Sequence, residues 1–157
     1  MDYQAEAAVW RRVRGPGPTA EEALLPERLE ALVLEQMGEQ EALKRLSRRL
    51  GSGQGAAVAR LAAQLRAQTR ELTTLHYLLT GRRLRLKAPA PAASGSVTEE
   101  LRLACLRAAQ SARAFRSLAE EFREQAEELS RYARECEGRQ RRLTGILRSR
   151  LDRAKEK

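Results

Sequence analysis

Histidine occurs once in this chain and cysteine twice, and these scarcities remove whole classes of chemistry. Cys105 and Cys136 stand 31 residues apart without metal-type spacing, which argues against a disulfide scaffold or a zinc module. The chain contains no Gly-rich phosphate loop, no Ser/His/Asp set and no Cys/His set with supporting context. No apolar run approaches the about 20 residues of a membrane span, so no helical spanning segment is expected. The opening MDYQAEAAVW lacks the basic start and apolar centre of a signal peptide. The expectation is a reduced, cytoplasmic protein.

What is present points to helices. Proline is scarce and clustered, apolar residues make up 42%, and Ala, Leu, Arg and Glu dominate. At 157 residues the chain holds one domain, large enough to bury a core without staples. The formal charge of +9 invites a nucleic-acid reading, because Lys and Arg neutralise phosphates and release counterions. Yet lysine appears only four times, and the arginines are mostly interspersed with Glu along the helices. The exceptions, and the candidate contacts for a polyanion, are Arg82, Arg83, Arg85 and Lys87, then Arg139, Arg141 and Arg142. No aromatic-interleaved basic stripe supports sequence-specific readout. A solvated basic surface is the favoured reading, and a nucleic-acid partner is not.

Taken in order, residues 1–18 read as a short amphipathic helix and linker, with Ala7, Trp10 and Val13 on one stripe. Trp10, like Tyr77 further on, is expected to anchor by internal packing. Thr19 with Glu22 forms a capping box, and Pro26 suits the first turn of a helix from about 27 to 50. Its expected inner positions are Leu29, Leu32, Val33, Gln36, Met37, Gln40, Leu43, Leu46 and Leu50. The stretch 51–55, GSGQG, reads as a tight turn that sends the next helix back antiparallel. That helix places Val58, Leu61, Ala62, Leu65, Gln68, Leu72, Leu75, Leu78 and Leu79 inward and stops at Gly81, a left-handed cap. Residues 82–96, containing KAPAPAASGS, form an extended crossover, and Ser96 with Glu99 opens the last region.

From Val97 onward no proline interrupts, and apolar residues step by three and four as far as Leu147. By itself this reads as one long helix or coiled coil, which would imply a helix-exchanging dimer. An internal repeat argues for two helices breaking near Phe122 to Gln125. Shifted by 72 residues, Leu29 falls on Leu101, Leu43 on Phe115 and Leu46 on Leu118; shifted by 71, Ala62 falls on Ala133 and Leu72 on Leu143. Nearly equal offsets in two separate segments suggest a duplicated helical hairpin. Coincidence between Leu- and Ala-rich helices is the alternative.

Two hairpins, about 27–81 and 97–151, joined by the 82–96 crossover make a four-helix bundle over 19–157. The ending LTTLHYLLTGRR resembles the second-helix ending of bacterial rubrerythrin-related ferritin-like proteins, and MDYQAEAAVWRRV resembles their N-terminal segment. The resemblance implies an all-α, ferritin-like antiparallel bundle. In that family each half supplies a Glu from its first helix and a Glu-x-x-His from its second, because hard iron ions need carboxylate oxygens on one helical face. Anchored on LLTG and carried through the repeat, those positions fall at Gln36, Leu65, Gln68, Ala108, Cys136 and Arg139. None is a carboxylate or histidine. No di-iron centre and no cofactor are therefore expected; buried Gln36 and Gln68 would bond each other across facing helices. Glu35, Glu39, Glu135 and Glu137 are expected to be solvated or paired with Arg, His76 to pack near its helix end, and Cys105 and Cys136 to be buried structural thiols.

The leading functional expectation is a non-catalytic ferritin-like bundle, a structural or interaction module that could self-associate, with its protein partner undefined. The alternative is a rubrerythrin-like oxidoreductase binding iron or manganese through displaced acids such as Glu39 and Glu135. Binding to an acidic partner through the basic clusters is the third.

Overall fold

The computed structural model describes residues 24–87, 92 and 95–155. The expected helix around Trp10 and the Thr19 capping box lie outside the described residues. Among the described residues there are four α-helices: α1 Leu25–Arg49, α2 Ser52–Thr80, α3 Val97–Glu121 and α4 Ala126–Lys155. None is long and apolar enough to cross a membrane.

Local chemistry explains most of the boundaries. Pro26 suits the first turn of α1, where its missing N–H costs no bond, while Glu27 there and Arg48 and Arg49 in the last turn complement the helix dipole. The expected five-residue turn is a correction: only Leu50 and Gly51 separate α1 from α2, and Ser52 to Gly55 already form the first turn of α2. Gly55 donates its N–H to the Gly51 carbonyl at 2.7 Å. A Cβ at Gly55 would sit 2.6 Å from the Ser47 carbonyl oxygen, so the missing side chain lets the two helices meet this closely. Gly81 ends α2 at φ +71° and donates to the Tyr77 carbonyl, as a left-handed cap requires. Ser96 opens α3 by accepting the Glu99 N–H at 3.0 Å.

The long C-terminal region is two helices. Phe122 leaves helical geometry at φ −112°, ψ 84°, and a 3-10 turn, Arg123–Gln125, follows before α4. The bend tucks the buried Phe122 ring under the end of the bundle, within cation–π reach of Arg28.

α1 pairs with α2 and α3 with α4, and the two hairpins join through α1 on α3 and, less closely, α2 on α4. Ion pairs give the directions. Arg28 meets Glu121 at one end and Arg49 meets Glu100 at the other, so α1 and α3 are antiparallel; Glu71 with Arg131 and Gln68 with Glu135 make α2 and α4 antiparallel. The crossover must then travel the length of the bundle. Leu84 and Leu86 pack on the core at its start, Ala92 lies beside Glu39, Glu100 and Leu103 between α1 and α3, and the Gly95 carbonyl accepts from Arg49 near its end.

The 72-residue shift carries Arg28 onto Glu100 and Arg49 onto Glu121. The pair Arg28 with Glu121 therefore maps onto Arg49 with Glu100, its charges exchanged. A pseudo-twofold relation between α1 and α3 produces that pattern. Leu34 and Leu106, matched by the same shift, are both exposed.

The apolar core divides in two. One cluster gathers Leu25, Leu29, Leu32, Phe115, Leu129 and Tyr132; the other gathers Leu43, Leu46, Val58, Leu61, Leu101 and Leu143. Two inner-face expectations need correction. Leu78 is 74% exposed, and Tyr77 and Leu79 are exposed beside it, because the last turn of α2 outruns the surface it packs on. On α1 the inward position near the middle is Glu39, while Met37 and Gln40 are half-buried.

Candidate functional site

Between the two apolar clusters lies a polar layer built from α1, α2 and α4. Gln36 is inaccessible to solvent and donates through Nε2 to Gln68 Oε1 at 2.6 Å, the bond expected for facing glutamines. Gln68 Nε2 reaches Glu135 Oε2 at 2.7 Å and the Tyr132 carbonyl at 3.3 Å. The Thr69 hydroxyl lies 3.1 Å from Gln36 Oε1 and 2.8 Å from the Leu65 carbonyl, sharing one proton between two acceptors. Across the diagonal, Arg139 of α4 donates to both oxygens of Glu39 of α1, at 3.1 and 3.4 Å. Cys136 Sγ sits 3.6 Å from both Gln68 Oε1 and Arg139 Nη2 and links the two halves of the network.

All six positions implied by the resemblance are buried. Gln36, Gln68, Cys136 and Arg139 share this network, while Leu65 and Ala108 belong to the adjoining apolar cluster. The residue that sequence reasoning misplaced is Glu39, which is 3% exposed. Its signal was legible: Gln36, Glu39, Leu43 and Leu46 step by three, four and three along one face of α1. Placing Gln40 on that face obscured it.

Burial raises the Glu39 carboxyl above its ordinary range, outweighing the opposing effect of Arg139. The Cys136 thiol is likewise pushed up by burial, as is the half-buried Cys105, which accepts the Thr144 hydroxyl at 3.7 Å. Both cysteines are free and neutral in this setting, and thiolate chemistry is disfavoured. Burial and nearby Glu71 push Tyr132 up to about 12.

The other acids pair as expected. Glu135 engages Arg131 and Glu137 engages Arg116, while Glu35 is exposed. His76 is buried near the end of α2 with Nδ1 3.5 Å from the Thr80 hydroxyl. It lies eight residues beyond Gln68, roughly 12 Å along the axis, and takes no part in the layer. Among the described residues no three His, Cys, Asp or Glu side chains converge in a way that could hold a metal.

The two basic clusters do not join. Arg82, Arg83, Arg85 and Lys87 are exposed where the crossover leaves α2, whereas Arg139 is buried, a correction to its place among surface contacts for an extended polyanion, and reaches only the cleft between α2 and α4. Arg141 and Arg142 are exposed on α4, roughly 30 Å along the axis from the crossover's start, since Gln68 faces Glu135 and Glu71 faces Arg131.

The looser α2 and α4 pairing leaves a cleft of about 490 Å³ that opens onto the polar layer. Gln64, Ala67, Gln68 and Glu71 form one wall; Glu135, Gly138, Arg139, Arg141 and Arg142 form the other. Ala67 and Gly138 supply the room, since a Cβ at Gly138 would meet only the Arg141 guanidinium at 3.8 Å. Compared with protein-family models, curated proteins and solved structures, the chain finds no match.

Proposed function

We propose that this chain is a rubrerythrin-related, ferritin-like bundle whose di-iron positions have been given over to packing and hydrogen bonding, and that it serves as a non-catalytic structural or interaction module. The observation that carries the reading is the Glu39 and Arg139 pair across the bundle centre. A guanidinium there supplies the positive charge that a metal would bring, already bonded to the one buried carboxylate of the layer.

The donor set does not fit iron. The six positions offer two amides, a thiol, a guanidinium, Leu65 and Ala108, and Glu39 is engaged by Arg139 through both oxygens. A cation entering the layer would face a fixed positive charge at short range. Exposed Tyr77, Leu78 and Leu79 suit an interaction role better than turnover.

Metal analysis of the full chain purified from iron-supplemented cells tests this reading. Iron and manganese well below one equivalent per chain are expected; near-stoichiometric metal overturns it. Peroxide turnover with added ferrous iron that disappears in Glu39→Gln would favour a metal-binding oxidoreductase instead.

A further inference from the structure

The geometry points to the cleft between α2 and α4 as an anion site, with a small phosphorylated organic molecule as its occupant. This inference rests on the cleft alone and stands whether or not the bundle descends from an iron protein.

Arg139 is 4% exposed and lines the cleft. Glu39 takes its Nε and Nη2, and Nη2 also meets Cys136. Nη1 has no partner among the described residues, and it is not one of the polar atoms sealed from solvent without a bond. A buried guanidinium thus keeps one corner free at the opening. The ion pair that uses its other edge also fixes its orientation, so little freedom is lost when a ligand arrives.

Arg142, one turn beyond, and Arg141, whose Nη2 lies over the space left by Gly138, have no ion-pair or hydrogen-bond partner among the described residues. The acids of the cleft are already engaged. Arg131 binds Glu71 at 2.7 Å and Glu135 at 3.1 Å, and Gln68 donates to the other oxygen of Glu135. Across the cleft and its surroundings, four arginines (Arg131, Arg139, Arg141, Arg142) oppose three carboxylates (Glu39, Glu71, Glu135), and the surplus lies on α4.

Three guanidinium donors ask for more oxygens than a single carboxylate presents, whereas a phosphoryl group offers three and a charge near −2. The volume falls in the range of pockets for small organic ligands, about 300 to 1,000 Å³, so an organic portion has room along Gln64 and Ala67.

Calorimetric titration of the full chain at fixed ionic strength tests the assignment, with inorganic phosphate and ribose 5-phosphate as probes and citrate and chloride as controls. Both phosphates are expected to compete for one site per chain, with the side-chain amide resonances of Gln64 and Gln68 shifting on addition. The exposed double variant R141Q/R142Q should weaken binding about tenfold or more. Gly138→Leu fills the cleft without changing charge and favours helix, so it should abolish binding while the fold is kept. Phosphate binding no stronger than chloride, wild-type affinity retained in both variants, unmoved amide resonances, or citrate outcompeting both phosphates would each overturn the proposal.

Discussion

Among the ion pairs of the described residues, Glu39 with Arg139 is the one in which both side chains are buried. Removing either partner leaves a charge stranded in an apolar interior. Glu39→Ala or Arg139→Ala should each lower stability by about 3–5 kcal/mol in urea denaturation, while the combined Glu39→Met and Arg139→Leu change should be neutral or stabilising. A double variant as unstable as the singles would show that the pair contributes more than charge compensation. The same carboxyl makes stability depend on pH. Its value is raised in the folded state above the ordinary 4.5, because burial disfavours the ionised form. The folded chain therefore holds that proton more tightly than the unfolded chain. Glu39's contribution is fully present below about pH 4.5, is lost as pH rises through the folded value, and stays constant above it. The stability difference between wild type and Glu39→Gln should decline across that window in urea titrations from pH 4 to 8; a difference that grows with pH would contradict the assigned direction.

Among the elements, Gly55 in the first turn of α2 and Gly81 at its C-cap act through different physics. Gly55→Ala forces a Cβ to within 2.6 Å of a backbone oxygen, so the α1 and α2 hairpin must shift, at about 1–3 kcal/mol. Gly81→Ala meets open space but places a side chain at φ +71°, at about 1–2 kcal/mol. Thermal unfolding of the two variants should show both losses; an unchanged midpoint for Gly55→Ala would mean the contact relaxes freely. The break at Phe122 has another origin. It carries neither glycine nor proline, and local propensity favours continuing the helix. The bend persists because it lets α4 return along α3 and bury Leu129, Tyr132 and Ala133 against residues that a straight rod would leave in water.

For the whole molecule, two ion clamps related by the 72-residue shift tie the hairpins at opposite ends. They are not equivalent. Glu100 is buried with both oxygens held at 3.3 to 3.5 Å from Arg49 and Arg45, whereas Glu121 and Arg28 are exposed. Glu100→Ala should therefore cost about 1–3 kcal/mol, and Glu121→Ala at most about 1 kcal/mol. Equal losses by chemical denaturation would remove the distinction.

Much of this architecture was readable before any coordinates. Steps of three and four, Pro26, Gly81 and Ser96 marked the helices, because caps and amphipathic stripes are local properties of neighbouring residues. The near-equal offsets located the bend at Phe122, and the bond between Gln36 and Gln68 followed from two amides facing each other inside. The inward turn of Glu39 was legible in its spacing from Gln36 and Leu43, but its pairing with Arg139 across the diagonal, the exposure of Leu78 and the cleft beside Gly138 were decided only in three dimensions. Each depends on how far apart the two hairpins stand and which faces they leave uncovered. A carboxylate is buried when a guanidinium from a distant helix arrives to meet it, and that meeting of residues 100 positions apart is a property of the packed bundle.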